Sequence, residues 1–418
     1  MFEKDRWQEI FYALKKNKLR TILTAFGIFW GIFMLMIMLG AGTGLRRGAF
    51  QNLGDFAVNS CRLSAAKTTM AYKGFNKGRI YDFEINDLTI LKNNIPEIES
   101  IAPGIEAGQV NVSRKRKVEA YSVSGDFPEI NKIDPVTMTG GRFLNNLDIL
   151  ENRKVIVIGA RIKEALFEAH ENPIGEYLKV KGVYFKVIGS FESKHTGGWG
   201  NYQNQSIIMP LSTVQNTFNK GNRIDYIWMT AKPDVKVSFI ENKAIRIIKA
   251  LHDVAPEDEM AVRHFNIEEQ FLEINAIFNG INLVLWIVGL GTLLAGVIGV
   301  SNIMLVVIRE RTQEIGIMRA IGATPYKVTI QIFMESIFLT ASAGYVGLFL
   351  GIGLVELIKF ILTGMGAEIP GFYKPEVSLE IAFVSLAILV FCGILAGMLP
   401  ARRAIAMKPI EAIRSEFK

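Results

Sequence analysis

The alternation of apolar and polar positions divides this chain into two regimes. Four long apolar runs, near residues 21–42, 277–308, 328–362 and 379–399, each reach the roughly 20 residues a helix needs to cross a bilayer core about 30 Å thick. The second and third exceed that length, which implies helices that tilt or project beyond the membrane. A cleaved signal peptide competes for the first run, since a basic segment precedes it, but the run is longer than an h-region of roughly 7 to 15 residues. Ahead of it, residues 1–20 set Trp7, Ile10, Phe11 and Leu14 at helical spacing opposite Lys and Arg. That spacing reads as an amphipathic leader helix on the inner membrane surface, with an unstructured basic leader as the alternative.

Between the first two runs, residues 43–275 change character. Short β-branched stretches at 154–159, 184–189, 206–210 and 226–230 are bounded by Gly, Pro or polar residues, and helical connectors are expected at 162–170 and 237–254. The segment is long enough to bury its own core, and an α+β domain of more than one subdomain fits it. The expected fold class is therefore a mixed membrane protein: a four-helix transmembrane bundle with a large α+β extracytoplasmic domain between the first and second spans.

Composition agrees with that division. Half of the 418 residues are hydrophobic and 21% are charged, too apolar for an ordinary soluble protein and too charged for a wholly embedded one. The net charge of +7 raises nucleic acid as a partner, yet the basic residues gather beside the apolar runs. Lys15, Lys16, Lys18 and Arg20 precede the first, Arg309, Arg311, Arg319 and Lys327 lie between the second and third, and Arg402, Arg403, Lys408, Arg414 and Lys418 follow the fourth. This is the positive-inside pattern. It places both termini and the segments 309–327 and 400–418 in the cytoplasm and the 43–275 domain on the outer side, and it argues against a nucleic-acid partner.

Candidate chemistry is sparse. No G-x-x-x-x-G-K-[ST] occurs, so the sequence has no P-loop of its own. Gly289, Gly291 and Gly296 lie inside a span and read as helix packing. His170, His195, His252 and His264 show no ligand spacing and default to the surface. Cys61 and Cys392 fall in different regimes, so no disulfide is expected. Residues 195–205, rich in glycine and amides, read as a loop: a ligand-binding segment offering Trp199 and Tyr202, or an ordinary hairpin tip. Glu335, Glu356 and Lys359 near the ends of the third run read as interfacial charges that snorkel or pair at helical spacing. Small residues recur four apart as Gly27 and Gly31, Ala295 and Gly299, Gly347 and Gly351, and Gly393 and Gly397. Such spacing lets helices approach closely and favours a packed, oligomeric bundle.

The most informative segment is 309–328. It weaves Ile315, Ile317, Met318 and Ile321 among Arg311, Glu314 and Arg319 before a stop at Gly322 and Pro325. A short amphipathic helix there would insert its apolar residues into a groove of a cytoplasmic partner, with the charges setting its register. A solvated turn is the alternative, but a turn does not need so many exposed apolar residues.

These residues resemble the MacB/FtsX-like ABC permease family, the mechanotransmission class. The likeness rests on Asn17-Lys18-Leu19-Arg20-Thr21, on Asn302-Ile303-Met304-Leu305 with the charged run from Arg309 to Glu314, and on Arg319-Ala320-Ile321-Gly322-Ala323. It continues in Pro400-Ala401-Arg402-Arg403-Ala404, Pro409-Ile410-Glu411-Ala412 and, in the middle domain, Gly140-Gly141-Arg142-Phe143. The resemblance implies a non-catalytic permease subunit with no cofactor of its own. In that reading Arg311, Glu314, Ile315, Ile317, Met318, Arg319 and Ile321 meet a separate ABC-type ATPase that carries ATP and Mg. It further implies long first and second spans acting as a stalk, a homodimer embedded in membrane lipid, a bacterial inner membrane with the 43–275 domain in the periplasm, and efflux or export from the periplasm through an adaptor and outer-membrane duct. Lipoprotein release, or a transducer acting on a cell-wall hydrolase or sensor kinase, are the alternatives that the same architecture serves.

Overall fold

The computed structural model describes residues 18–53, 56–168, 170–195, 197–364 and 371–406. The leader 1–17, the tail 407–418 with Pro409-Ile410-Glu411-Ala412, and residues 365–370 lie outside the described residues. The chain forms two compact units, one of residues 49–275 and one of residues 1–48 with 276–418. Helix α1 (Lys18–Leu53) opens the described chain.

Within residues 49–275, a first lobe begins with β1 (Ser60–Ala65), the short β2 (Phe83–Glu84), α2 (Ile85–Asn94) and the first half of β3 (Ile98–Arg114). A second lobe is inserted there: β4 (Lys117–Asp126), α3 (Ile130–Ile133), β5 (Val136–Gly141), α4 (Asn146–Leu150), β6 (Val155–Gly159) and α5 (Ala160–Leu166). It continues with β7 (Tyr177–Val180), β8 (Val183–Ser193), α6 (Gly197–Asn204), β9 (Ser206–Pro210) and α7 (Leu211–Thr217). The chain then completes the first lobe through β10 (Arg223–Ile224), β11 (Tyr226–Ala231), α8 (Val237–Leu251) and β12 (Val262–Asn266).

The first-lobe strands lie in the order β12-β1-β11-β3, every neighbour antiparallel. With α2 joining β1 to β3 and α8 joining β11 to β12, this is a pair of interleaved split β-α-β units. Val237, Ile240, Ala244 and Ile248 are fully buried, the three-and-four spacing that turns one stripe of α8 onto a sheet. They share a core with Leu91 of α2 and with Cys61, Leu63 and Met229 of the strands.

Strand β3 passes into the second lobe through a bulge between Glu106 and Gly108, where Gly108 takes φ +77°, a left-handed conformation that glycine adopts without steric cost. There β3, β4, β9, β6, β8 and β7 close a circuit, β7 returning to β3 at Val112 and Val180. Closure leaves these six strands without a free edge. All five residues of β6 are buried, the continuous apolar signature of a strand covered on both faces.

Several sequence expectations change here. Residues 197–204 form helix α6 rather than a loop, and their polar side chains are anchored. Tyr202 shares a 2.8 Å hydrogen bond with Ser122, Gln203 donates to Asp134 at 2.6 Å, and Asn204 accepts from the Ser193 backbone at 2.8 Å. His195 is buried with its Nε2 2.6 Å from Asp134, and His252 is largely buried against Asp87 at 2.8 Å, so neither is a surface histidine. The helix expected at 162–170 stops at Leu166, because Phe167 turns extended with φ −111° and ψ 164° and buries its ring.

In the other unit, α9 (Ile267–Glu310) is followed by α10 (Thr312–Ala320), α11 (Pro325–Gly364) and α12 (Leu379–Ala406). Among the described residues, 25–50 of α1, and α9, α11 and α12, are the four helices long and apolar enough to cross a membrane. The 44 residues of α9 extend about 66 Å at 1.5 Å per residue, roughly twice a bilayer core. The first of them, 267–275, belong to the 49–275 unit.

Helix α1 is packed between α9 and α11 by glycine. A methyl group at Gly27 would lie 3.7 Å from the Gly296 Cα, one at Gly31 3.3 Å from Leu293, and one at Gly351 2.7 Å from the Met36 Cβ. Gly393 and Gly397 serve α12 in the same way, against Ile337 and Phe333 of α11. On α9 the spacing points to Ala295 and Gly299, but Ala295 is exposed. Close approach falls instead at Gly289, against Leu35, and at Gly296, against Ile28. A seven-residue step keeps one helix face on its neighbour, whereas Ala295 sits about 100° further round. Toward the ends of the spans, Glu376 before α12 pairs with Arg47 of α1 at 2.6 Å and Lys359 of α11 at 3.5 Å, and Lys359 also pairs with Glu356 at 3.3 Å. Glu335 does not reach for water: it is 8% exposed.

Candidate coupling surface

The 309–328 segment forms a helix with a defined start and stop. Arg311 breaks α9 from α10, taking φ −98° and ψ 13°. Thr312 then donates its hydroxyl to the carbonyls of Ile308 and Arg309 at 3.1 and 2.8 Å, bridging the break. At the other end Gly322 adopts φ +106°. Its N–H donates to the Arg319 carbonyl at 3.2 Å and that of Ala323 to the Met318 carbonyl at 3.0 Å, the paired bonds of a Schellman cap. Pro325 opens α11 at the first helical position, where a missing N–H costs nothing.

The helix has two faces. On the inner face Ile315 is 6% exposed and packs into the apolar core of its unit, with Met318 against it. Arg319 donates to the Ile405 carbonyl at 2.8 Å. Arg311 makes two ion pairs, at 2.8 Å to Glu314 and 3.0 Å to Glu335. On the outer face Glu314 projects, and Ile317 and Ile321 are 43% and 83% exposed, followed by Tyr326 at 73%. Positions 314, 317 and 321 share one helical face by their three-and-four spacing.

The structure thus separates the seven residues that the sequence groups together. Arg311, Ile315, Met318 and Arg319 are turned inward and hold the helix, while Glu314, Ile317 and Ile321 are presented outward. Two participants are new. Glu335, twenty-four residues on, anchors Arg311 across the segment, and only the fold brings it near. Tyr326 is an exposed aromatic on the first turn of α11, and its signal was the lone aromatic after the stop. An exposed, rigidly held apolar stripe is what a partner groove receives. Nothing in it resembles a catalytic set, and no group of His, Cys, Asp and Glu suited to a metal ion occurs among the described residues.

Comparison with known proteins matches residues 21–246 to the MacB-like periplasmic core domain and residues 286–409 to the FtsX-like permease C-terminal domain. The macrolide export ATP-binding/permease protein MacB of Bdellovibrio bacteriovorus is 28% identical over 407 residues, covering 97% of this chain and 61% of the relative. The pyoverdine export ATP-binding/permease protein PvdT of Pseudomonas savastanoi is 26% identical over 413 residues, covering 99% and 60%. The chain therefore spans about six-tenths of the length of these curated relatives. Among solved structures, the periplasmic region of MacB from Actinobacillus actinomycetemcomitans covers 53% of this chain and 94% of its own, at 21% identity and a TM-score of 0.43.

Proposed function

The chain belongs to the MacB/FtsX-like ABC permease family, and from that premise we propose that it is the permease subunit of an export machine whose α10 surface receives the motion of an ABC-type ATPase. The observation that carries the reading is the outward stripe of Glu314, Ile317 and Ile321 on a helix clamped from behind by Arg311 and Arg319, with the exposed Tyr326 opening the next helix. A surface that is apolar outside and pinned inside transmits a push instead of absorbing it. Seating Ile317 and Ile321 in a groove would contribute about 1.5 to 3 kcal/mol for each side chain fully buried. In this reading both termini are cytoplasmic, the chain lies in the inner membrane as a homodimer, and α1 and α9 carry the movement outward as a stalk. The 49–275 unit then drives a cargo out of the periplasm by way of an adaptor and outer-membrane duct.

The test is affinity purification of the chain from native membranes, followed by identification of what accompanies it and assay of ATP hydrolysis. An ABC-type ATPase should co-purify, and Ile317→Asp and Ile321→Asp should weaken that association and the coupled hydrolysis while leaving the thermal midpoint unchanged, because both side chains are exposed. ATPase recovery indifferent to both substitutions would remove α10 as the docking element. Recovery of a hydrolase or kinase in place of an ATPase would replace export with a transducing role.

A further inference from the structure

The sheet of the first lobe has one face covered by α2 and α8, and its other face is not covered in the same way. The alternation of β1 and β12 puts Arg62, Ser64, Arg263 and Phe265 on that second face, with Arg62 opposite Phe265 and Ser64 opposite Arg263. Together with the segment at Ile80 and Tyr81 and with Trp199 of α6, these residues line an open cleft of about 1050 Å³. Its volume lies at the upper end of the range for small-molecule sites, roughly 300 to 1,000 Å³.

The cleft has both apolar faces and charge. Trp199, Phe265 and Ile80 are 38%, 37% and 68% exposed, so ring and aliphatic surface stands open to solvent within one concavity. The cations are unequally engaged. Arg223 lies between Asp225 at 2.8 Å and Asp82 at 3.3 Å, and Arg62 pairs with Glu106 at 3.2 Å while stacking 4.2 Å over the Tyr226 ring. Arg62 still keeps a buried Nε with no partner. Lys67 and Arg263, both exposed, make no ion pair with any described residue. Four cations thus face the three carboxylates Asp82, Glu106 and Asp225, Arg223 serving two of them, so the cleft carries one positive charge in excess and leaves Lys67 and Arg263 without an ion pair among the described residues.

We propose that this cleft is a binding site for an amphipathic organic anion: a ligand with a flat apolar body that lies against Trp199 and Phe265 and an acidic group that meets Arg263 and Lys67. A negative charge entering a concavity with excess positive charge is attracted over a longer range than one on open surface, and aromatic walls add contact for a planar group. The same aromatic surface without the cations would favour neutral ligands, and the cations alone would bind small inorganic anions. The combination selects molecules that carry both features. The assignment concerns the 49–275 unit alone and stands whether or not α10 docks an ATPase.

Photolabelling of the full chain in mild detergent tests it. The probe is 4-benzoylbenzoate, a flat aromatic carboxylate, with 4-methylbenzophenone as its uncharged counterpart, and labelled peptides are mapped by mass spectrometry. The carboxylate should label peptides containing residues 62–67, 80–82, 199 and 263–265. Arg263→Gln and Lys67→Gln should each reduce that labelling about fivefold, the upper end of what one exposed ionic contact contributes, without changing labelling of the apolar helices. Trp199→Ala should reduce it while leaving the thermal midpoint within a few degrees. Equal labelling of the cleft by the uncharged probe, or cleft labelling indifferent to both glutamine variants, would overturn the proposal.

Discussion

Arg311 and Glu335 meet at 3.0 Å behind α10, with side chains 20% and 9% exposed. The pair ties the start of α10 to α11, so the angle at which the outward stripe is presented depends on a buried ionic contact. Removing Glu335 leaves Arg311 with only the exposed Glu314 as partner, so the loss falls below the roughly 3 to 5 kcal/mol of a fully unpaired buried charge, at about 1 to 3 kcal/mol. Glu335→Ala should accordingly lower the thermal midpoint sharply. The double variant Arg311→Met with Glu335→Leu should recover most of the loss, because apolar replacement removes both of the desolvated charges together. Full stability of the single variant in a thermal melt would show that the pair is solvated and holds nothing.

Glycine at Gly347 permits the contact between α1 and α11, since a methyl group there would lie 2.6 Å from the Phe29 carbonyl oxygen. Gly347→Ala is expected to cost about 1 to 3 kcal/mol, the penalty for overpacking a filled interface. Gly353, on the same helix, has nothing within 4 Å, so Gly353→Ala should be neutral or stabilising by up to about 1 kcal/mol through helix propensity. Thermal melts of the two variants in detergent should therefore move apart. Equal shifts would mean that backbone entropy, not close approach, governs both sites.

The spans, their order and the α+β character of 49–275 were legible because each rests on a local pattern: uncharged runs of sufficient length, and short β-branched stretches between breakers. The amphipathic stripe of α8 was legible for the same reason. What the sequence hid is set by contacts between distant positions. Residues 195–205 carry the composition of a loop, yet α6 is held by Asp134 and Ser122, sixty to eighty residues away. The candidate coupling residues could be collected from the sequence but not sorted, since a helix of nine residues gives no sign of which stripe faces the bundle until Glu335 and Ile405 are in place. The Gly-Gly-Arg-Phe stretch was visible as a motif without a reason. In the fold, a side chain on Gly141 would collide with the Ile188 carbonyl, and Arg142 is the principal partner of Asp148.

That last contact is testable. The Asp148 side chain is fully buried and accepts from Arg142 at 2.6 and 3.0 Å and from the Asn145 backbone at 3.0 Å. Burial pushes its pKa upward, but the hydrogen bonds from Arg142 and Asn145 outweigh that and hold it below the usual carboxylate range. A lowered acid pKa stabilises the fold above about pH 4 and is lost as pH falls further. Arg142→Ala should cost about 1.5 to 3 kcal/mol at neutral pH, and the difference from the parent protein should shrink as the melts are moved to lower pH. A difference independent of pH would assign the loss to packing of the arginine stem.

Asp126 should show the opposite dependence. It is buried at the end of β4, where it accepts hydrogen bonds from Ser124 and Tyr226, each at 2.7 Å. Burial outweighs both bonds and pushes its pKa up to about 6. A raised acid pKa means that the folded state takes up the proton before the unfolded chain does. The stabilisation is complete below the unfolded value near pH 4 and lost as pH rises through 6, so above that the fold carries the cost of a buried carboxylate. Asp126→Asn retains the shape and a hydrogen-bond acceptor without the charge. It should raise the thermal midpoint at pH 7.5, have little effect near pH 4, and remove that part of the pH slope between them. Melts across this range, followed by intrinsic tryptophan fluorescence, to which Trp228 contributes from β11 two residues after Tyr226, with its ring largely buried, would measure the effect. A variant less stable than the parent at pH 7.5 would mean that the ionised carboxylate is stabilised by its two donors more than burial opposes it.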